Sequence, residues 1–325
     1  MIIARAPTRI GIMGGGTDVD PFAGEYGGKV LNMAINLRHE CYVEDDLFFP
    51  ASVAIQTTIH AMGEVRDISQ LDDSKFSLIK KILDSYELPP EEFRFVDQFE
   101  GTQSAGLGSS ASAAVSMIGC FNKWLGIKQS KREIAERAFK AEIDLGWSSG
   151  RQDQFAAAFG GMNFFEFDKD VWGERIDKNI ADGFANHCLL VFTGETRHSA
   201  KIQDKLKARM KSGQATEHLK KIRTLTWEAR DAMKGGRFLE VGKMMDVAWD
   251  LKKKSNPSAT NERLDVVYNT AMKAGAVGGK VMGAGGQGHM VFVVEPGKRK
   301  KVLKAIQMKE IDFSVDHNGL EVREV

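Results

Sequence analysis

The sequence predicts an α+β fold, and three observations carry that prediction. Strand-like and helical stretches are mixed along the chain without strict alternation, which argues against a doubly wound parallel sheet. Two long amphipathic helices, near Glu217–Lys234 and Phe238–Lys254, dominate the C-terminal half. Three glycine-dense segments, each beside a strand or a helix start, punctuate the rest.

Taken in order, Ile10 and Ile12 alternate with Arg9 and Gly11, the period of a half-buried strand. Gly14-Gly15-Gly16-Thr17-Asp18 follows, too rich in glycine for a helix interior. Val30, Ala34 and Ile35 begin a second strand. Phe76, Ile79, Ile82, Leu83 and Tyr86 recur at helical spacing, and Pro89-Pro90 stops that helix. Gly106-Leu107-Gly108-Ser109-Ser110 runs directly into a helix from Ala111. Further helices are expected over Lys131–Leu145 and around Gln152–Ala158, the latter ended by Gly160-Gly161. His187–Thr193 reads as a buried strand, and so does Met290–Val294 after the third glycine-rich segment, Gly278–Gly288. The Asn318-Gly319 pair between Phe313–Val315 and Leu320–Val325 signals a closing hairpin. A composition shift near 165–186 divides the chain into a motif-rich half, 1–175, and a helix-rich half, 176–325.

Composition narrows the function classes. With 325 residues, 45 basic and 44 acidic side chains, and 42% apolar residues, the chain can bury a sizeable core and carries no basic field. That argues against a nucleic-acid coat. The runs Lys252–Lys254 and Lys298–Lys301 read as solvated helix ends or faces. Cys41, Cys120 and Cys188 are scattered and odd in number, so neither a disulfide framework nor a zinc site is expected, and a reducing compartment fits. The stretch from Ala111 to Phe121 is about half a membrane span. These features point to a cytoplasmic protein with no membrane and no nucleic-acid partner; exposed helices leave room for a homodimer.

The middle glycine segment offers the clearest chemistry. Bare backbone precedes a helix whose first N–H groups lack intrahelical partners and sit at the positive end of its dipole, an arrangement suited to phosphate. It reads equally as a capped helix behind a flexible turn. No Gly-Lys-Ser/Thr follows, so it is not a Walker A loop. Two acids stand out nearby. Glu142 lies on the helix ending near Leu145, and could be a surface acid. Asp153 lies eleven residues on, among Gln152, Gln154 and alanines, and could be a helix-start residue favoured by the dipole.

Ala6-Pro7-Thr8-Arg9-Ile10-Gly11 with Gly15-Gly16-Thr17-Asp18, then Gly106-Leu107-Gly108-Ser109-Ser110-Ala111, then Lys280-Val281-Met282-Gly283-Ala284-Gly285-Gly286-Gln287-Gly288 resemble, in order, the three motifs of the GHMP kinases. Two positions depart from the pattern: Thr102-Gln103 stands where many members have proline, and Gln287 interrupts the last glycine pair. The resemblance implies a two-domain fold, with a ribosomal S5-like N-terminal domain and a ferredoxin-like C-terminal domain. It implies ATP and Mg²⁺ as cofactors. Gly106 to Ala111 and Gly283, Ala284 and Gly285 would bind the nucleotide, and Ser110 (or Ser109) with Glu142 the metal. Asp153 would face the reacting hydroxyl, and Arg9 the transferred phosphoryl.

Within the family, Gly14–Asp18 with Gly27-Gly28-Lys29-Val30-Leu31, Thr193–Ser199 and Gly150-Arg151-Gln152-Asp153-Gln154 are similar to the heptose kinase group. That group phosphorylates C1 of D-glycero-D-manno-heptose 7-phosphate, in nucleotide-heptose biosynthesis for lipopolysaccharide or capsule. Gly15, Gly16, Thr17 and Asp18 would then meet the sugar. Arg151, Arg197 and the Lys252–Lys254 run are candidates to receive its phosphate. A fucokinase-like or galactokinase-like sugar-1-kinase, and a non-catalytic sensor of sugar and ATP, are the competing readings.

Overall fold

The computed structural model describes residues 1–45, 53–57, 61–65, 73–87, 93–99, 106–194 and 199–325. Pro89-Pro90, Thr102-Gln103 and Arg197 lie outside them. The fold is α+β.

Strand β1 (Ile2–Met13) pairs antiparallel with β2 (Gly28–Asp45), and α1 (Phe22–Tyr26) interrupts the connection between them. The alternation at 9–12 suggested a half-buried strand. Instead every residue from Ala6 to Met13 is buried, because helices cover both faces of the sheet here. After β3 (Val53–Thr57), β4 (Ala61–Val65) and α2 (Asp73–Leu83), strand β5 (Phe93–Phe99) pairs antiparallel with β2 and parallel with β3.

Helix α3 (Ser109–Trp124) is small and apolar on all sides, and Ala111 to Asn122 are buried without a break. Such a helix belongs in the interior. It packs on β1 and β2 beneath α4 (Lys131–Asp144) and α5 (Gln152–Phe159). A capping box starts α4: the Ser130 hydroxyl accepts from the Glu133 amide, and the Glu133 carboxylate accepts from the Ser130 amide. Strands β6 (Met162–Phe167) and β7 (Val171–Arg175) form a hairpin on the early half of β2, whose later half carries β5.

The remaining chain runs through α6 (Lys178–Ala185), β8 (Cys188–Phe192), α7 (Ser199–Lys211), α8 (Thr216–Lys234), α9 (Phe238–Ser255) and α10 (Glu262–Ala274). Strands β9 (Ala276–Val281) and β10 (His289–Val294), then α11 (Arg299–Ile306) and β11 (Glu321–Glu324), complete it. Among the described residues β8, β10 and β9 form a second, antiparallel sheet. Alternate β10 residues serve two cores. Val291 and Val293 meet Val241 and Met245 of α9, whereas Met290 and Phe292 meet Tyr268 of α10 and Val302 of α11.

The expected closing hairpin does not form. Strand β11 pairs with β1, Ile2 opposite Glu324, while Val315 makes a single bridge to Ile35. The buried Asp316 carboxylate accepts from the amides of Asn318 and Gly319, so it caps the Asn-Gly turn, and the chain leaves to cover the free edge of β1. No described helix is long and apolar enough to cross a membrane. All three cysteines are buried free thiols.

Candidate active site

One cleft of about 350 Å³ gathers the glycine segments and both acids. Its floor is the start of α3. Gly108 caps that helix in a left-handed conformation, φ 75°, and offers no side chain, so the first-turn amides are left for an outside acceptor. A Cβ at Gly108 would lie 3.0 Å from Asp153 Oδ2. A Cβ at Gly106 would lie 2.8 Å from the Met282 carbonyl oxygen, and one at Gly283 would lie 2.9 Å from Gly106 Cα. The second and third glycine segments therefore pack backbone to backbone, and only glycine permits it.

Asp153 stands in the first turn of α5, opposite this floor. Arg9, 4% exposed, grips it as a fork: Nε donates to Oδ1 at 2.7 Å and an Nη donates to Oδ2 at 2.6 Å. The other Nη donates to the Gly106 carbonyl at 2.6 Å. One guanidinium thus ties the carboxylate to the middle glycine loop, and bidentate pairing fixes the carboxylate in direction as well as distance.

Asp18 sits deeper. Gln152 donates to it from both its amide nitrogens, at 3.0 to 3.2 Å, and Gly16 donates through its backbone at 3.2 Å. Burial first, and then the Asp153 charge, raise its carboxyl above the ordinary value. Gly150 has to be glycine here, since a Cβ would fall 2.1 Å from Asp18 Oδ2.

Glu142 projects from α4 into the same cleft and is 2% exposed. Burial pushes its carboxyl up to about 7, partly offset by the nearby hydroxyls of Ser149 and Ser110. Oε2 accepts from Gln154 at 2.7 Å, and Oε1 has no hydrogen bond. An orphaned buried carboxylate oxygen beside a serine hydroxyl fits a hard cation. Mg²⁺ suits the pair, because it takes most of its remaining ligands from water and phosphate. Among the described residues no cluster of three or more acidic, histidine or cysteine ligands offers an alternative.

Other expected residues are placed differently. Leu107 and Ala111 are buried behind the floor and contribute through their backbone. The Thr17 hydroxyl donates to the carbonyls of Gly14 and Lys29, so it braces the first loop and does not face the cleft. Gly285 packs on Ala259, off the cleft wall that Gly283 and Ala284 form. Arg151 lies 4.0 Å from Glu136 and over the Phe139 ring, also off the cleft. Lys254 pairs with Asp250 in solvent, whereas Lys252 turns inward and donates to the Gly283 carbonyl at 2.6 Å.

Sequence reasoning missed several lining residues. Lys280, Gln152, Trp147, Ser148, Ser149 and Gln203 all face the cleft. Gln152 and Lys280 lay inside quoted motifs and could have been singled out as polar neighbours of the acids. Gln203 and Trp147 carry no local signal.

Comparison with known proteins decides the assignment. Residues 77–161 match the GHMP kinases N terminal domain, and residues 229–310 the GHMP kinases C terminal domain. A D-glycero-alpha-D-manno-heptose 7-phosphate kinase of Campylobacter jejuni is 30% identical, over 98% of this chain and 98% of that protein. The chain belongs to the GHMP kinases. As a member of that family it is an ATP-dependent phosphotransferase with an alcohol acceptor. The crystal structure of a D-glycero-D-manno-heptose 1-phosphate kinase from Bacteroides thetaiotaomicron superposes with a TM-score of 0.82 at 29% identity, covering 100% of this chain and 99% of that one. An L-fucokinase/L-fucose-1-P guanylyltransferase of Bacteroides fragilis is 27% identical over 91% of this chain, which spans 35% of that longer protein.

Proposed function

We propose that this GHMP kinase is a sugar kinase that moves the γ-phosphoryl of ATP to the anomeric hydroxyl of D-glycero-D-manno-heptose 7-phosphate, giving the 1,7-bisphosphate. The supporting observation is the Arg9–Asp153 fork facing the uncapped start of α3 within one cleft. Similarity to kinases whose names specify heptose phosphates supports the choice of sugar.

Phosphoryl transfer needs positioning and charge neutralisation more than covalent chemistry. The first-turn amides of α3 hold the phosphate tail of ATP, and Arg9 faces the group in transit. Asp18, held by Gln152 and lining the cleft beside Gly15 and Gly16, accepts from sugar hydroxyls. Asp153 accepts the hydrogen of the anomeric hydroxyl as that oxygen bonds to the γ-phosphorus. The bond from the γ-phosphorus to the β,γ-bridging oxygen breaks, and ADP leaves with the electron pair. Ser110 and Glu142 would hold Mg²⁺, which when bound neutralises charge on the β- and γ-phosphates.

A coupled ADP-release assay over free and phosphorylated sugars, with the product phosphate located by NMR, tests the reading. Heptose 7-phosphate should be preferred and should gain its phosphate at C1. Equal use of unphosphorylated fucose or galactose would overturn the heptose assignment in favour of a fucokinase-like or galactokinase-like enzyme. Absence of ADP release with every sugar would leave a ligand sensor.

A further inference from the structure

Helix α9 and strand β9 run side by side into the cleft. At Gly278 a Cβ would stand 1.8 Å from the Gly242 carbonyl oxygen, so helix and strand touch backbone to backbone at that point. From Gly242 to Lys252 the helix advances about 15 Å. From Gly278 the strand advances about 10 Å to Val281, and the turn at Gly283 follows two residues on. The two elements therefore arrive together, and the Lys252 ammonium donates to the Gly283 carbonyl at 2.6 Å. Lys280 lies on the same strand face as Gly278, lines the cleft and is 7% exposed. Its Nζ stands 3.7 Å from where a Cβ on Gly15 would be.

Neither lysine makes an ion pair among the described residues. The charged groups facing Lys280 are Lys252 from α9, Arg9 from β1 and Asp18 from the first glycine loop. Asp153 of α5 is already taken by Arg9. Burial first, and then the neighbouring cations, hold Lys280 well below its ordinary value; burial and Arg9 bring Lys252 down to about 8. Two buried cations that face a single acid, Asp18, and pair with neither oxygen of it are costly, and the cost falls when an anion arrives. The position of the pair identifies that anion. Lys252 sits on Gly283, which packs against the phosphate-type loop at Gly106, and Lys280 sits beside the sugar loop at Gly15.

We propose that Lys280 is a further catalytic residue, contacting the phosphoryl group as it passes from nucleotide to sugar, and that Lys252 is a positioning residue, which holds Gly283 and adds charge to the same pocket. The proposal rests on the kinase reading above. It gives Lys252 a place at the transfer point and not at the far phosphate of the sugar.

Three variants and one binding measurement test it. Lys280→Met should lower kcat roughly 10²–10³-fold, the usual loss for one buried transition-state donor, with melting temperature and KM for the sugar near wild type. Lys280→Arg should recover at least about tenfold of that loss, and Lys252→Met should lower kcat about tenfold. Calorimetry of wild-type enzyme with magnesium and AMP-PNP, in two buffers of different ionisation enthalpy at about pH 9, should show proton uptake, since among the side chains of the cleft the carboxyls are ionised there and the lysines are the groups that can gain a proton. A folded Lys280→Met enzyme with kcat within about threefold of wild type would overturn the proposal, and so would AMP-PNP binding without proton uptake. The second readout decides the matter if Lys280→Met does not fold. In either case wild-type activity stands, so the kinase reading survives; wild type that neither binds AMP-PNP nor releases ADP would remove both.

Discussion

Two buried polar clusters in this molecule look alike in composition and differ in what their valences are used for. In the first core, His39 Nδ1 lies 2.9 Å from Asp97 Oδ1, Cys41 Sγ donates to the same oxygen at 3.4 Å, and Sγ lies 3.1 Å from the Ser116 hydroxyl. His39 Nδ1 and Cys41 spend their hydrogen bonds within this cluster and the Ser116 hydroxyl donates to the Ala113 carbonyl, while His39 Nε2 has no hydrogen bond and its ring stacks on Phe99. In the cleft, the Glu142 Oε1 oxygen, the first-turn amides of α3 and the Lys280 ammonium have nothing comparable. Burial of polar groups is therefore not what marks the site. Unspent valence facing a cavity marks it, because a closed cluster stabilises a fold whereas an open one awaits a ligand.

The difference can be broken most sharply at Asp153. Asp153→Asn should lower kcat roughly 10²–10⁴-fold, the usual contribution of a positioned base, with little change in thermal stability. A folded Asn variant turning over near the wild-type rate would remove Asp153 from its role. Glu142→Gln comes next. The Mg²⁺ concentration for half-maximal rate should rise at least about 10–100-fold, a loss seen even for residues that merely orient a ligand. A magnesium titration unchanged by the substitution would separate Glu142 from the metal.

Asp18→Asn sharpens the comparison by giving stability and activity separate readouts at one residue. Asp18 has a raised native pKa, so the folded protein holds this proton more tightly than the unfolded chain. The associated stability is full below the unfolded carboxylate value and is lost as pH rises through the native one. Asn carries no charge, and it keeps one acceptor oxygen and loses the other, a fixed cost that does not vary with pH. The melting temperature of the variant relative to wild type should therefore rise from acid to neutral pH, while KM for the sugar rises about tenfold from one weakened hydrogen bond. Thermal scans across pH, with sugar titrations beside them, check both halves.

Legibility in the sequence followed the range of the interactions. The α8 and α9 helices were readable to within a residue or two, because amphipathic spacing is a local property. The bare backbone at Gly106 and Gly108 before a helix start was readable for the same reason. That Gly106 needs to be glycine because of Met282, and Gly150 because of Asp18, is a fact about chain segments far apart in sequence, which no local pattern records. Lys252 shows the limit most clearly. Its run of three lysines suggests a solvated face, and one of the three turns inward because α9 lies against β9 at Gly278 and Gly242. The closing hairpin failed through the opposite error: Asn318-Gly319 is a strong local signal, outcompeted by the free edge of β1.

The smallest effect on turnover is expected at Asp97, and it closes the comparison from the other side. Asp97 is 1% exposed and accepts from both His39 and Cys41 at one oxygen, so Asp97→Ala removes the acceptor that both use. Alanine leaves these buried partners unmet, and an unmet buried partner costs about 1–3 kcal/mol. Chemical denaturation should register that loss, while kcat and KM stay within about twofold of wild type, because the cluster lies off the cleft and couplings between sites without shared partners are small. A fall in kcat comparable to that of Asp153→Asn, in a protein still folded, would mean that the core cluster and the cleft are one network, and the distinction between closed and open valence would fail.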